Sequence, residues 1–263
     1  MRAKNQKTFQ RNVIIFHAIL LGLLLIVTTT AEAKQSEWAV SDHVRARLLS
    51  GVKTVGDDNH IQAALEIDLA DDWHTYWKHA GDSGLPMRFN WEGSENFKAA
   101  EILYPVPKRK NELDILTVFA YEGRLVLPMD IELENVKQDT KLDLEIQLMV
   151  CHEVCIPDQL EVSLLLDAGN GDESAALKMI EMAKHKVPYK QGEGKSNNEL
   201  FIDTIVTGKD AIAVNAYMKR GADNAQIIAH TEEFALTTKA KYEPDPERAG
   251  CTANDLPCRQ TGR

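Results

Sequence analysis

Beyond residue 27 the sequence lacks any long apolar run. The run that it does have, residues 13–27, contains fifteen residues including His17, whereas a membrane-spanning helix needs roughly 20. A basic opening precedes this run and Ala31-Glu32-Ala33 follows it, which is the layout of a secretory signal peptide cleaved after Ala33. We therefore expect residues 1–33 to be removed on export and the mature chain to be soluble, without a retained anchor.

The chain also has fewer basic than acidic residues. The chain has 30 Lys and Arg residues against 40 Asp and Glu residues, a formal net charge of −10. Residues 1–33 carry four basic side chains and one acidic one, so cleavage takes this charge to −13. A protein this acidic is a poor candidate for binding nucleic acid or anionic lipid. The sequence also has no internal repeat of the solenoid type.

Cysteine is sparse, with four residues in the whole chain, and all of them follow the signal peptide. They form two close pairs, Cys151 with Cys155 and Cys251 with Cys258. An even count in an exported chain favours two disulfides, each closed locally. About 230 residues remain after cleavage, enough for one good core and a second small unit.

Short segments of alternating apolar and polar residues run from Trp38 to Asp167. This alternation is typical of strands with one buried face, and Gly, Pro, Asn and Asp separate the segments. Strands of this length and spacing indicate an all-β fold, an immunoglobulin-like β-sandwich spanning residues 34–168. The predicted strands are 43–50, 61–69, 87–91, 115–121, 124–131, 142–150 and 160–166, with loops at 81–84 and 104–107.

Several polar and aromatic residues within this region have ordinary structural interpretations. We interpret the basic run 107–110 as a solvated loop. His74 and His79 are expected on an aromatic-rich loop rim, where Trp73 and Trp77 pack and do not bind a ligand.

The pattern changes after residue 168. Residues 169–199 indicate a helix and a linker, because Ser174 can cap a helix that Pro188 ends, and a polar, glycine-containing stretch follows. Residues 200–243 predict a partial second β unit, and 244–263 a polar tail. The helix has apolar residues at Ala176, Leu177, Ile180 and Ala183, and the β unit has predicted strands at 200–206, 211–218 and 226–230.

The first cysteine pair lies between two predicted strands. Residues four apart on one straight strand are about 13 Å apart, so Cys151 and Cys155 can bond only if the chain reverses between them. Three intervening residues make a common hairpin loop, which would place the cysteines opposite each other. A five-residue ring stabilises a fold by only about 2 kcal/mol. His152 could lower a thiol pKa, but a loop histidine is more often simply solvated. From the residues alone, both a redox switch and a structural staple remain open.

Five motifs, in order, resemble a known family. They are WHTYWK at 73–78, GDSGLP at 81–86, YPVP at 104–107, YEG at 121–123 and VCHEVCIP at 150–157. Together they resemble the N-terminal periplasmic domain of the thiol:disulfide interchange protein DsbD, in particular its ScsB-like branch. The resemblance continues more weakly through 200–240, as the opening strands of a second immunoglobulin-like unit.

The resemblance implies a periplasmic thiol:disulfide oxidoreductase of the protein-disulfide reductase type. Cys151 and Cys155 would cycle between dithiol and disulfide, without a cofactor. Electrons would come from a membrane-embedded thiol reductase and pass to oxidised periplasmic proteins of thioredoxin fold.

In this family a loop with an aromatic residue covers the cysteine pair. The stretch that resembles this cap is Phe119-Ala120-Tyr121-Glu122, so Phe119, Tyr121 and Glu122 are candidates for the cap, and His152 is a candidate modulator. Core packing is an equally good interpretation of Phe119.

The chain departs from complete members of the family in two ways. It has no polytopic membrane segment and no C-terminal thioredoxin-like motif. We therefore expect either a free-standing ectodomain that a separate membrane protein reduces or a truncated product.

Two other functions are compatible with the sequence. One is a binding or structural module with inert disulfides. The other is copper binding or copper tolerance, associated with ScsB-like proteins, because Met149, Cys151, His152 and Cys155 are soft ligands. Cys251 and Cys258 have no histidine nearby to complete a metal site. We expect no bound metal.

Overall fold

The computed structural model describes residues 32–112 and 115–188, together with the backbone of 200–207 and 212–218. These residues are mostly strands. In chain order the strands are β1 (Lys34–Gln35), β2 (Ala39–Val40), β3 (Val44–Ser50), β4 (His60–Leu69), β5 (His74–Gly81), β6 (Arg88–Asn90), β7 (Phe97–Ile102), β8 (Lys108–Glu112), β9 (Leu116–Glu122), β10 (Arg124–Leu133), β11 (Thr140–Cys151), β12 (Cys155–Leu166), β13 (Leu200–Thr207) and β14 (Ile212–Met218), and the helix α1 is Leu177–Lys184.

Antiparallel pairing joins the first twelve strands into two sheets. The first sheet has the order β1-β3-β4-β10-β7, with β2 beside β3, and the second has the order β12-β11-β5-β9-β8, with β6 beside β11. Apolar side chains of both sheets meet in one core. The protein is therefore the immunoglobulin-like β-sandwich that the sequence predicts. β13 and β14 form a two-stranded antiparallel sheet of their own.

The core is built from alternate residues of each strand. Leu48, Leu65 and Ile67 of the first sheet face Leu144 and Ile146 of the second, and each is at most 1% exposed. Burial of one such side chain stabilises a fold by about 1.5–3 kcal/mol. Because a one-residue slip would turn these side chains to the outside, the alternation also fixes the register of the strands.

The hairpin predicted around the first cysteine pair is present. β11 and β12 pair continuously from Thr140 opposite Leu166 to Cys151 opposite Cys155. The antiparallel pairing of 142–150 with 160–166 is confirmed, although the second strand begins five residues earlier than predicted, at Cys155.

Two predicted loops are strands. His74 and His79 lie in β5 and not on a loop rim, and the basic run 107–110 contributes to β8 and not to a solvated loop. β8 is at one end of the second sheet, where a charged strand needs a partner on one side only, and that partner is β9. β7 was not predicted, because its alternation is weak.

The helix is shorter than predicted and begins differently. Ala176, not Ser174, is its N-cap residue, without a side-chain cap hydrogen bond. Ser174 Oγ instead accepts hydrogen bonds from the backbone N–H groups of Lys34 (2.8 Å) and Ala176 (3.2 Å). Ile180 of the helix packs on the first sheet.

Some predictions lie outside the described residues. They are the signal peptide up to residue 31, the linker beyond residue 188, the strand at 226–230, and the tail with Cys251 and Cys258. Across the residues that are described, no helical segment has the length and apolar character that crossing a bilayer requires.

Candidate functional site

The disulfide lies on the outer face of the second sheet. Along β11 the inward positions end at Val150, so the next residue, Cys151, points away from the core. Cys155 pairs directly with it across the hairpin, and their Cα atoms are 4.1 Å apart. The His152 N–H donates a hydrogen bond to the Val154 carbonyl (3.0 Å), which closes the three-residue loop.

The two sulfurs of this disulfide differ in accessibility. Cys151 is 1% exposed, whereas Cys155 belongs to the exposed loop and strand end. Cys151 belongs to a small buried cluster on the outer face, whose other members are Tyr76, Ala80, Val118 and Ala120. The partly buried Met149 packs against this cluster. Of the two cysteines, Cys155 is therefore the more accessible to an approaching thiolate, and Cys151 is the more buried.

The hydroxyl of Tyr76 lies within hydrogen-bond distance of the disulfide. Its single proton can be donated either to Cys151 Sγ (3.2 Å) or to Glu112 Oε1 (3.4 Å), and Cys155 Sγ lies 3.7 Å away. Burial, reinforced by the nearby Glu112 carboxylate, raises the pKa of Tyr76 to about 12. The phenol therefore keeps its proton at neutral pH and remains a donor. A thiolate would accept this hydrogen bond more strongly than a disulfide sulfur, because one partner would then be charged.

A network of hydrogen-bonded polar residues extends from Tyr76 to the surface. Glu112 Oε1 lies 3.4 Å from the Tyr76 hydroxyl and 2.9 Å from His74 Nε2, and Lys110 Nζ lies 3.4 Å from His74 Nδ1. A lysine ammonium can only donate, so His74 Nδ1 accepts and the ring proton lies on Nε2, from which it is donated to Glu112. Burial, together with Lys110, lowers the pKa of His74 and keeps the ring neutral.

Glu122 is the outermost residue of this network, at the protein surface. Its carboxylate pairs with Lys110 (2.5 Å) and Lys108 (2.9 Å). Hydrogen bonds from these two lysines lower the pKa of Glu122 to about 2, so it stays ionised over the physiological range. Glu122 thereby holds Lys110 beside His74.

The structure separates the other residues that the sequence singled out. Phe119 packs in the main core against Trp77, with ring centroids 5.9 Å apart, and the Tyr121 hydroxyl donates to the Pro105 carbonyl (2.6 Å). Both residues belong to the core between the sheets, on the opposite face of β9 from Cys151. His152 is exposed beside the disulfide, at 6.0 Å from the ring of Trp73.

Sequence reasoning missed Tyr76, Glu112, His74 and Lys110 as site residues. A signal was present in the sequence. Thr75, Tyr76 and Trp77 favour a strand, and residues two apart in a strand share a face, so His74 and Tyr76 are predicted on the same face. The approach of Glu112 had no such signal, because it depends on how the β8–β9 hairpin lies over β5.

An open cleft surrounds the exposed sulfur. Its volume is about 880 Å³, and its lining includes Trp73, His74, Glu112, Leu116 and His152. Within the described residues, no three His, Cys, Asp or Glu side chains are grouped as a metal site would need. The arrangement suits thiol chemistry, with one accessible sulfur, one buried sulfur and a fixed donor for the buried one.

Comparison with known proteins identifies a matching family and several similar solved structures. Residues 45–167 match the family described as thiol:disulfide interchange protein DsbD, N-terminal. The chain is similar to the N-terminal periplasmic domain of ScsB from Proteus mirabilis, at 17% identity and a TM-score of 0.48, over 79% of this chain and 98% of that one. It is also similar to the DsbD N-terminal domain of Neisseria meningitidis in the reduced form, at 14% identity and a TM-score of 0.28, over 56% and 92%. No curated protein matches.

Proposed function

Residues 45–167 are a DsbD N-terminal-like domain, and from this premise we propose that the chain relays electrons between thiols and disulfides in the periplasm. Cys151 and Cys155 are the redox pair. The donor is a membrane-embedded thiol reductase, the acceptors are oxidised periplasmic proteins of thioredoxin fold, and residues 1–33 are the signal peptide. The observation that carries the proposal is the contrast between the exposed Cys155 and the buried, hydrogen-bonded Cys151.

Reduction of the pair begins at Cys155. A thiolate of the donor attacks Cys155 Sγ, the Cys151–Cys155 bond breaks, and Cys151 leaves as a thiolate. The second thiolate of the donor then attacks its own sulfur in the mixed disulfide and releases Cys155. Two electrons have moved, the donor dithiol has become a disulfide, and the two thiolates of this chain take up two protons.

Delivery of electrons is the reverse sequence. The Cys155 thiolate attacks the disulfide of an acceptor and forms a mixed disulfide, while one acceptor sulfur leaves as a thiolate. Cys151 then attacks Cys155 Sγ, which re-forms the internal disulfide and releases the acceptor as a dithiol. Cys151 is close enough for this step because the hairpin register keeps it opposite Cys155.

Tyr76 stabilises the charge that develops on Cys151. Its hydroxyl is already within hydrogen-bond distance of Cys151 Sγ, and hydrogen bonds to charged groups contribute about 1.5–3 kcal/mol. A better-stabilised leaving thiolate leaves faster. His74, Glu112 and Lys110 position the phenol from the other side.

The remaining candidate residues have supporting roles in this proposal. Glu122 holds Lys110, and His152 lies beside the sulfur where partners dock. Phe119 and Tyr121 support the sheet beneath the site through the core.

The reduction potential of the pair tests the proposal. We expect equilibration of the purified protein in glutathione redox buffers to give a potential above about −300 mV, the limit below which structural disulfides usually lie. Cys251→Ser and Cys258→Ser in the same chain confine the measurement to Cys151 and Cys155. A potential well below that limit would leave only a structural staple.

Trapping experiments test the order of attack. Cys151→Ser leaves the exposed Cys155 free and should accumulate mixed disulfides with thioredoxin-fold proteins in the periplasm. With Cys251→Ser and Cys258→Ser present in both proteins, Cys155→Ser leaves only Cys151, a residue that is 1% exposed, and should accumulate far fewer. Equal trapping by both variants would contradict the proposed entry through Cys155.

A further inference from the structure

The loop at residues 81–86, which begins at the last residue of β5, is not used by the mechanism above, yet it contacts Tyr76. Its sequence, GDSGLP at 81–86, contains two glycines with backbone angles that L side chains rarely adopt, φ +98° at Gly81 and φ +91° at Gly84. Ser83 of this loop lines the cleft beside the disulfide.

Gly84 is in direct contact with the ring of Tyr76. A Cβ atom placed on Gly84 would be 2.2 Å from Tyr76 Cζ, the ring carbon that carries the hydroxyl, and 2.3 Å from Cε1. No real Cβ atom approaches that closely, so any side chain at Gly84 must displace the ring or the loop. The ring belongs to the buried cluster that also contains the small residues Ala80 and Ala120. The phenol is therefore buried in this cluster and in close contact with the backbone of Gly84.

The loop is itself fixed to β9. The Asp82 N–H donates to the Thr117 carbonyl (2.9 Å), and Asp82 Oδ2 accepts from the Thr117 N–H (2.9 Å). At Gly81 a Cβ would lie 2.4 Å from the Thr117 carbonyl oxygen, so the backbones of loop and strand are in close contact. A loop tied at this point cannot slide along the ring.

We propose that the loop at residues 81–86 is a clamp that holds the Tyr76 hydroxyl on Cys151, and that Gly84 is its positioning residue. The inference deepens the proposed function and rests on it for its biological meaning. Its chemical content is independent of any partner: the clamp sets how readily Cys151 leaves as a thiolate when any thiolate attacks Cys155.

The test is the rate at which dithiothreitol reduces the Cys151–Cys155 disulfide, with Cys251→Ser and Cys258→Ser present in every protein. Gly84→Ala should slow this reaction about tenfold, because the departing sulfur loses most of a charged hydrogen bond. Tyr76→Phe should slow it equally. The double variant should be no slower than either single variant, because both remove the same interaction.

Gly93→Ala is the matched control. Gly93 has φ +92°, so alanine meets the same backbone strain as at Gly84, but its Cβ would approach only the end of the Asp143 side chain, at 3.3 Å. This variant should be reduced at the wild-type rate. If Gly84→Ala is no slower than Gly93→Ala, or slows the Tyr76→Phe protein a further tenfold, the clamp is refuted.

Asp82 provides a second route if Gly84→Ala does not fold. Asp82→Ala removes the acceptor for the Thr117 N–H without a steric clash and should slow reduction, whereas Asp82→Asn keeps an acceptor oxygen and should restore the wild-type rate. Equal rates in these two variants would contradict a role for the loop's attachment.

The pKa of the Cys151 thiol distinguishes a specific loss of the Tyr76 hydrogen bond from a general loosening of the fold. In the reduced protein, the pKa of the Cys151 thiol, followed by thiolate absorbance, should rise in Gly84→Ala and Tyr76→Phe and not in Gly93→Ala. If the wild-type disulfide proves too stable for exchange, the proposed function fails. A wild type that exchanges while Gly84→Ala behaves like Gly93→Ala refutes the clamp alone.

Discussion

The two outer faces of the sandwich are covered in different ways. On the first sheet, Ala176 and Ile180 at α1 cover Leu49 and Ala64, and these four buried residues are all apolar. On the second sheet, the cluster around Tyr76 includes a phenol hydroxyl and a sulfur and is covered by a loop that contacts it through backbone. The helix buries apolar residues of the first sheet, whereas the loop on the second sheet leaves one cysteine of the disulfide accessible.

The difference shows that one outer face of the sandwich serves mainly the stability of the fold and the other serves the chemistry of the disulfide. Apolar cover removes surface from water and stabilises the fold in proportion to the area buried. The loop on the second sheet buries little apolar surface, but it fixes the position of a hydrogen-bond donor. Substitutions on the two faces should therefore change different measured quantities.

The largest effect is expected beneath the helix. Ile180 is fully buried, so Ile180→Ala should lower the free energy of unfolding by about 2–5 kcal/mol, as measured by urea denaturation. Met182 of the same helix is 61% exposed, and Met182→Ala should change it by less than about 0.5 kcal/mol. Neither variant should change the rate of disulfide reduction. A slower reaction in Ile180→Ala would show that the faces are coupled.

A smaller effect is expected when the disulfide is opened. Reduction should lower the free energy of unfolding by no more than about 2 kcal/mol, because a five-residue ring restricts the unfolded chain little. The strands on either side are already held by twelve residue pairs. Urea denaturation with and without reductant checks this, again with Cys251→Ser and Cys258→Ser. A much larger loss would assign the pair a structural role.

The smallest effect is expected from pH. Burial lowers the pKa of His74, so the unfolded chain takes up a proton near its ordinary pKa of about 6.5 while the folded one resists it. The stability that neutral His74 contributes is present above that pH and is lost as pH falls below it. His74→Gln keeps a donor for Glu112 and cannot titrate, so the wild type should lose stability relative to this variant on acidification. A relative gain would mean that the folded protein favours a charged His74.

The cysteine hairpin could be predicted because its determinants are local. Alternation on both sides of Cys151 and Cys155 fixes which residues face the core, and disulfide geometry then requires the chain to reverse. The same alternation predicts the sandwich, since each face of a strand can be assigned from its own sequence.

The surroundings of Cys151 could not be predicted in the same way. Tyr76 is 75 residues away in sequence and Glu112 is 36 residues from Tyr76, so their meeting depends on sheet order and on the path of the β8–β9 hairpin. Charge also misled the interpretation of 107–110 as a loop, because Lys108 and Lys110 lie in a strand and pair with Glu122, although the Lys108 side chain is 68% exposed.

The unequal exposure of the two sulfurs has a consequence for steady-state kinetics. With Cys151 1% exposed, donor and acceptor must both react through Cys155 and so compete for one surface. The proposed relay therefore follows double-displacement kinetics, in which the oxidised donor departs before the acceptor binds. Plots of reciprocal rate against reciprocal acceptor concentration at several donor concentrations are then parallel, and a large excess of either partner inhibits turnover.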